Sequence, residues 1–314
     1  MAPVSHNPHG RRPFRAPGGT RFGSVRHVTV TGSTNADLVA GAVVASDGSP
    51  AMPDGSVLVA DHQTTGRGRL DRRWDAPPAT NLLFSVLLRP TWNPDRHPLV
   101  TTTLAVATVD ALATLGVLAA VKWPNDVLLV DGTASGKVAG ILAELVAGRP
   151  ADRGPAPDGP APDGPAPDGP CGAGPYPDGS GGLSDGTPGA GSVAIVVGMG
   201  VNVGWPALSD DAPPGATSLA AAGHRIDRAE LLKTVLARFE ARLTELEAPD
   251  GRERLRSAHL EHSATVGGDV RVDMADGPVT GTAVDLALDG SLLVDSGDGP
   301  VAFRAGDVVH LRPA

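Results

Sequence analysis

Between Gly148 and Gly191 the chain repeats Pro-Ala-Pro-Asp-Gly three times, from Pro155 to Gly169, and adds the related Pro175-Tyr176-Pro177-Asp178-Gly179. Proline removes the amide that a helix or sheet ladder needs, and Asp-Gly favours turns, so the segment 148–191 reads as a disordered surface insertion. A five-residue period is too short for a solenoid. The core must therefore be assembled from residues on both sides of this break.

At 314 residues the chain has room for about two domains. It holds 41 Gly and 30 Pro but only 4 Trp, 1 Tyr and 5 Phe, so its core rests on Val, Leu and Ala. The formal charge of −9 makes it a poor general binder of polyanions, and any bound anion must meet a local cationic cluster. The single cysteine, Cys171, excludes an internal disulfide and a cysteine zinc site, and suits a cytoplasmic protein. Residues 1–21 carry Arg11, Arg12 and Arg15 broken by Pro13 and Pro17, with no apolar run behind them; they read as a disordered tail, not a signal peptide. The longest apolar stretch, Leu99 to Val121, is crossed by Thr101–Thr103, Asp110 and Thr114, which excludes a membrane span.

The remaining pattern is mixed α/β. Val25–Val30 alternates as a strand, and Ser33-Thr34-Asn35 then sits at an N-cap before Ala36, Leu38, Val39, Ala42 and Val43 at helical spacing. Ser56–Ala60 and Asn81–Leu88 read as buried strands flanking a glycine-bearing loop, Asp61 to Ala79. Val100–Leu115 is a helix, Val138–Val146 is an apolar run, Ser192–Val203 is a further strand, and Asp227-Arg228-Ala229-Glu230 has the spacing of a capping box before a further helix. From Thr265 onward short alternating runs are separated by Asp276-Gly277, Asp289-Gly290 and Asp298-Gly299, the signature of hairpins in a small β-barrel over 265–314.

Three clusters carry chemistry. Gln63-Thr64-Thr65-Gly66-Arg67-Gly68-Arg69-Leu70, ending in Trp74, combines glycines that permit close backbone approach with two guanidiniums that grip phosphate or carboxylate. Alone it reads equally as an exposed basic or RNA-contacting loop. In Lys122-Trp123-Pro124-Asn125-Asp126 proline sets a turn beside Asn and Asp oxygens and a lysine, an arrangement shared with salt-bridged structural turns. Gly136-Lys137-Val138-Ala139-Gly140-Ile141-Leu142 is not a Walker A loop, because Gly132 to Lys137 is one residue short and Val138 replaces the magnesium-binding hydroxyl. Gly198-Met199-Gly200-Val201-Asn202-Val203-Gly204 misses the G-x-G-x-x-G spacing, which excludes a dinucleotide fold.

Taken in order, Ser33-Thr34-Asn35, Gln63 to Arg69 with Trp74, Lys122 to Asp126, Lys137 to Leu142 and Gly198 to Asn202, followed by a small barrel, closely resemble the biotin protein ligases over about residues 25–147 and 192–312. The resemblance implies a mixed-sheet, class II synthetase-like catalytic domain over 22–264 and a C-terminal SH3-like barrel. The short N-terminal segment argues against the DNA-binding repressor activity of bifunctional members. The implied chemistry joins biotin and ATP into biotinyl-5′-AMP, with Mg2+, and passes biotin to a lysine of a biotin carboxyl carrier protein domain of a biotin-dependent carboxylase. No DNA and no membrane take part. In that scheme Ser33, Thr34, Asn35 and Gln63 face the ureido ring, and Gly66, Arg67, Gly68 and Arg69 close over the carboxylate. Arg67, Arg69 and Lys137 spread the developing charge, and Asp126 receives the incoming amine. Trp74, Lys122, Asn125 and Asn202 contact ATP or the adenylate, and the magnesium ligand is not identified. Two alternatives stand beside this reading, a lipoate or octanoyl ligase of the same fold and a non-catalytic biotin sensor.

Overall fold

The computed structural model describes residues 12–43, 52–69, 72–130, 135–146, 193–207, 213–274, 277–304 and 306–311. The whole of the insertion expected at 148–191, Cys171 included, and residues 1–11 of the expected tail lie outside them. Seven strands form one mixed sheet: β1 (Ser24–Thr31), β2 (Ser56–Gln63), β3 (Leu82–Leu88), β4 (Ala119–Lys122), β5 (Asp126–Leu129), β6 (Gly136–Val146) and β7 (Ala194–Val201). Their spatial order is β1-β2-β3-β7-β6-β5-β4, with β1 parallel to β2 and the other pairs antiparallel. Strand β3 is buried at every position, which fits its unbroken Leu-Leu-Phe-Ser-Val-Leu-Leu sequence at the middle of a covered sheet.

The two ends that flank the proline-rich repeat are paired with each other. Val146 faces Ala194, and the register runs without a break to Ala139 opposite Val201. A long insertion between adjacent antiparallel strands costs little once its ends are paired, since closure entropy grows only logarithmically with length.

Helices cover both faces. On one, α1 (Thr34–Ala42) packs Leu38 and Ala42 against Leu58, Leu87 and Val196. The other is covered by α2 (Val100–Thr114) and α3 (Arg228–Glu247), joined by α4 (Gly251–Glu261). Helix α2 is buried almost all round; its internal threonines are satisfied by back-bonding, Thr103 to the Leu99 carbonyl and Thr108 to that of Leu104, each at 2.8 Å. Asp227 caps α3 as its spacing predicts, accepting from the amides of Ala229 and Glu230. Helix α4 was not anticipated, having few apolar residues among its charged ones. Among the described residues no helix is long and apolar enough to cross a membrane.

Residues 12–21 carry no regular structure, yet they are packed onto the body rather than free of it. Phe14 and Ala16 lie against the main core, and Arg21 pairs with Glu240 and Glu247 of α3. The next residue, Phe22, is wholly buried and stacks on Phe239 at 5.7 Å. Two aromatic side chains and one arginine dock a segment whose composition reads as a tail.

The C-terminal unit is a five-stranded antiparallel sheet of β8 (Asp269–Met274), β9 (Gly277–Leu286), β10 (Leu292–Asp295), β11 (Pro300–Phe303) and β12 (Asp307–His310), in the order β11-β10-β9-β8-β12. Its small core of Val270, Val272, Ala283, Leu286, Leu292, Val294, Phe303 and Val308 is completed by Trp123, which reaches in from the turn after β4. The Trp123 indole N–H donates to the Gly290 carbonyl at 2.9 Å, and its backbone N–H donates to the Thr265 hydroxyl at 3.1 Å. The two sheets are thus keyed together by a residue of the Lys122–Asp126 motif.

Removing this key in Trp123→Ala is expected to cost about 3–5 kcal/mol by urea unfolding, while Trp123→Phe retains most of the burial. A second outcome concerns His259 of α4, which is 1% exposed with neither ring nitrogen hydrogen-bonded among the described residues. Burial, reinforced by nearby His262, pushes its pKa down from 6.5 to about 4. The unfolded chain then binds a proton that the folded one refuses, so stability present above pH 6.5 is lost as the pH falls toward 4. The full effect is on the order of 3 kcal/mol, and His259→Leu should flatten that part of the stability profile measured by urea titration at successive pH values.

Candidate functional site

The site forms where the end of β2 and the start of α1 meet β6 and β7. Helix α1 begins at Ser33 because the extended backbone there lets its hydroxyl accept from the Ala36 amide at 3.4 Å. The Gln63 side-chain carbonyl accepts from the Thr34 amide at 2.7 Å and from its hydroxyl at 3.1 Å. Ser85, fully buried on β3, places its hydroxyl 2.7 Å from Thr34 Oγ1 and 2.6 Å from Asn35 Oδ1. Asn35 donates to the Leu142 carbonyl at 3.1 Å and to Glu144 at 2.9 Å. The result is a pocket wall of neutral donors and acceptors.

Three glycines make the floor. On β6 and β7 Gly140 faces Gly200, and Gly198 lies two residues away on the same strand, about 7 Å along it. A Cβ on Gly198 would overlap Asn35 Oδ1, and one on Gly200 would overlap the Trp74 indole. A Cβ on Gly140 would stand 2.9 Å from the same ring. The indole thus rests directly on the bare backbone of two strands, and its N–H, buried there, has no hydrogen-bond partner among the described residues.

The loop that delivers Trp74 folds back on itself as a small hairpin. The Trp74 amide donates to the Gly66 carbonyl at 3.0 Å, the Gly68 amide to that of Arg72 at 2.7 Å, and Arg67 bridges Arg73. Gly66 has no room for a side chain, since a Cβ would overlap the Trp74 carbonyl. Arg67 donates to both oxygens of Glu144, at 2.9 and 3.1 Å. Arg69 donates to Asn125 Oδ1 at 3.1 Å and to the Gly306 carbonyl of the C-terminal sheet at 3.3 Å. Asn125 is itself fixed, donating to the Ile141 carbonyl at 2.8 Å. Lys137 Nζ lies 2.7 Å from Asp126 and 5.5 Å from the centre of the Trp74 ring, within cation–π range.

Tertiary structure therefore joins the three sequence clusters: Arg69, Asn125, Asp126, Lys137 and Trp74 meet at one end, and Ser33, Thr34, Gln63 and Arg67 at the other. Asn202, anticipated as a nucleotide contact, is 4% exposed; its carbonyl accepts from Asn81 at 3.0 Å and its amide donates to the Thr217 carbonyl at 2.9 Å, bonds that brace the strand. The Asn35 amide is likewise spent inside the protein and positions the wall rather than lining it with free polar atoms. Lys122, on the outer strand β4, opposes Asp126 in register and lies near His310, whose pKa is lowered first by burial and then by the Lys122 charge.

Sequence reasoning missed Ser85 and Glu144. Each had a signal: Ser85 is the one polar residue of Leu82–Leu88, and Glu144 the one charged residue of Val138–Val146, and isolated polar groups in apolar strands need partners. A cleft of about 320 Å³ between α2 and α3, lined by Asp110, Arg238, Arg242 and Glu245 among others, takes in no motif residue. Over the glycine floor the Trp74 indole occupies the space itself.

Comparison with known proteins agrees with this arrangement. Residues 29–154 match the family model described as the biotin/lipoate A/B protein ligase family, and residues 265–311 the biotin protein ligase C terminal domain. The biotin--[acetyl-CoA-carboxylase] ligase of Mycobacterium tuberculosis is 32% identical over 292 residues, covering 91% of this chain and 88% of that protein. The protein of the same name from Paracoccus denitrificans is 30% identical over 247 residues, covering 76% and 80%. The fold is shared with the biotin protein ligase of Aquifex aeolicus solved with biotin and ATP, at a TM-score of 0.65 and 23% identity over 92% of this chain and 99% of that one.

The glycine floor can be tested directly. In Gly200→Ala the added methyl is expected to lift the indole from the strands, raising acrylamide quenching of Trp74 fluorescence, read as the difference from a Trp74→Phe background. Unchanged quenching would mean that the ring does not rest there.

Proposed function

This chain belongs to the biotin protein ligase family, and from that premise we propose that it joins biotin to a carrier protein in two steps driven by ATP. First, a biotin carboxylate oxygen attacks the α-phosphorus of ATP, giving biotinyl-5′-AMP and pyrophosphate. Then the amine of a carrier lysine attacks the acyl carbon, a proton is lost, and AMP leaves with the bonding electrons. The observation that carries this reading is the convergence of a neutral hydrogen-bonding wall and three cations, Arg67, Arg69 and Lys137, along one strip of bare glycine backbone.

The division of labour follows from charge. A cyclic urea is neutral and needs donors and acceptors at fixed positions, which the Ser33, Thr34 and Gln63 wall offers. An alkyl chain needs a smooth apolar surface, offered by the Trp74 ring that Gly140 and Gly200 support. The carboxylate and the α-phosphate are both anionic and repel, so their approach requires cations placed in advance, and Arg69 and Lys137 sit where the chain would end. Arg67 and Gly66 to Arg69 then cover the acyl phosphate and exclude water. Lys122 and Asn125 are assigned to the phosphate side. Asp126 holds Lys137 in the first step and receives the proton of the incoming amine in the second.

Mg2+ enters as part of the ATP substrate. Such an ion is held chiefly by phosphates and water, with few protein carboxylates. The partner is a biotin-carrying carboxylase, its acceptor a single lysine of the carrier domain, and the C-terminal sheet a candidate docking surface for it. The reaction is placed in the cytoplasm, in keeping with a single cysteine in the chain.

The test is biotin-dependent ATP–pyrophosphate exchange. Lys137→Ala is expected to reduce it at least about 100-fold, the usual cost of removing one group that stabilises transition-state charge, with Tm unchanged, and lipoate should not replace biotin. Exchange with lipoate in place of biotin would move the assignment to the lipoate branch of the fold. Biotin binding without any exchange would make the protein a sensor.

A further inference from the structure

A carboxylate stands inside a site built for anions. Glu144 projects from β6 beside the pocket wall, where its charge opposes the binding of any carboxylate or phosphate unless it serves the cations around it. It does so on two sides: both of its oxygens accept from Arg67 Nη2, at 3.1 and 2.9 Å, and the nearer one also accepts from Asn35 Nδ2 at 2.9 Å. Arg67 belongs to the glycine hairpin, whereas Asn35 belongs to α1, so one carboxylate ties the covering loop to the pocket wall. Asn35 is immobile, being 5% exposed and bonded also to Ser85 and Leu142. Whatever Glu144 grips is therefore referred to the rigid sheet.

We propose that Glu144 is a positioning residue, a latch whose carboxylate holds Arg67, and with it the Gly66–Arg69 hairpin, closed against Asn35 at the start of α1. The pair is partly exposed, with Arg67 at 47% and Glu144 at 27%, so the latch is weak enough to open for substrate entry. A glycine loop needs such a tether. Gly66 and Gly68 carry no side chain to anchor it, its backbone bonds join the hairpin only to itself, and Arg69 secures only its other side, on Asn125 and Gly306. Closure retains whatever lies beneath, which rests on the ligase reading; the tether itself does not.

The experiment separates the two. Empty wild-type protein, Glu144→Gln, Arg67→Met and the double variant are digested with limiting trypsin, and cleavage after Arg69 is followed by mass spectrometry. In the regime where opening is fast, the cleavage rate reports the population of the open loop. Each single variant is expected to cleave roughly two- to fivefold faster, the scale of an exposed ion pair, and the double variant no faster than either single. Equal rates in wild type and Glu144→Gln would overturn the latch, as would multiplied effects in the double variant. So would faster cleavage at every site together with a lowered Tm, which marks general destabilisation. In the presence of biotin and ATP, Glu144→Gln should also release the adenylate and label bystander lysines two- to fivefold more. A wild-type protein that makes no adenylate overturns the ligase reading alone, and the proteolysis then decides the latch.

Discussion

The antiparallel pairing of β6 with β7 is what every other part of the site stands on. It sets Gly140 opposite Gly200, leaves Gly198 beneath Asn35, and spaces Lys137 and Glu144 along one strand so that they serve opposite ends of the floor. Shifting the register by one residue would turn each of these groups to the other face, where α2 and the apolar core lie. The pairing is held by burial on both faces, with β7 almost wholly inaccessible. A proline-rich interruption between the two strands is compatible with this because the strands, not their connection, fix the geometry.

On that floor the chain manages charge locally. Its overall balance is acidic, and yet three cations converge on one site, each held by groups suited to it. Lys137 is paired with Asp126, Arg67 with Glu144, and Arg69 is held by the neutral Asn125 side chain and a backbone carbonyl. Cations fixed before substrate arrives need no reorganisation when charge develops, which is the physical advantage of a preorganised site. The same economy holds at the far side of β2. Burial works to raise the Asp61 carboxyl, but bonds from Arg228 and His27 outweigh it and keep its pKa below the usual carboxylate value.

The two sheets meet at the site rather than beside it. Trp123 locks the turn that carries Asn125 and Asp126 into the C-terminal core, and Arg69 reaches across to the Gly306 carbonyl. A movement of the C-terminal sheet would therefore be transmitted to Asn125, which holds Arg69, and to Asp126, which pairs with Lys137. The Lys122–Asp126 motif thereby joins a structural anchor and polar site groups within five residues, so its tryptophan and its acid answer to different neighbours.

Much of this was legible without coordinates. Alternation gave β1, apolar runs gave β3 and β7, the capping residues placed the starts of α1 and α3, and the Asp-Gly pairs marked out the C-terminal hairpins, because these signals are local and depend only on period and backbone preference. The order of the glycine and lysine motifs pointed to the chemistry only through its resemblance to the biotin protein ligases. What tertiary structure decided was which polar atoms remain available. The amides of Asn202 and Asn35 are bonded within the protein, to Asn81 and Thr217 in one case and to Ser85 and Leu142 in the other. Glu144 looked like one charge in a strand until folding set Arg67 and Asn35 on either side of it, and Phe14 looked like part of a tail until Arg228 and the core received it. Sequence determines what each residue is able to do; whether a partner more than a hundred positions away has already claimed it depends on packing, which no local pattern encodes.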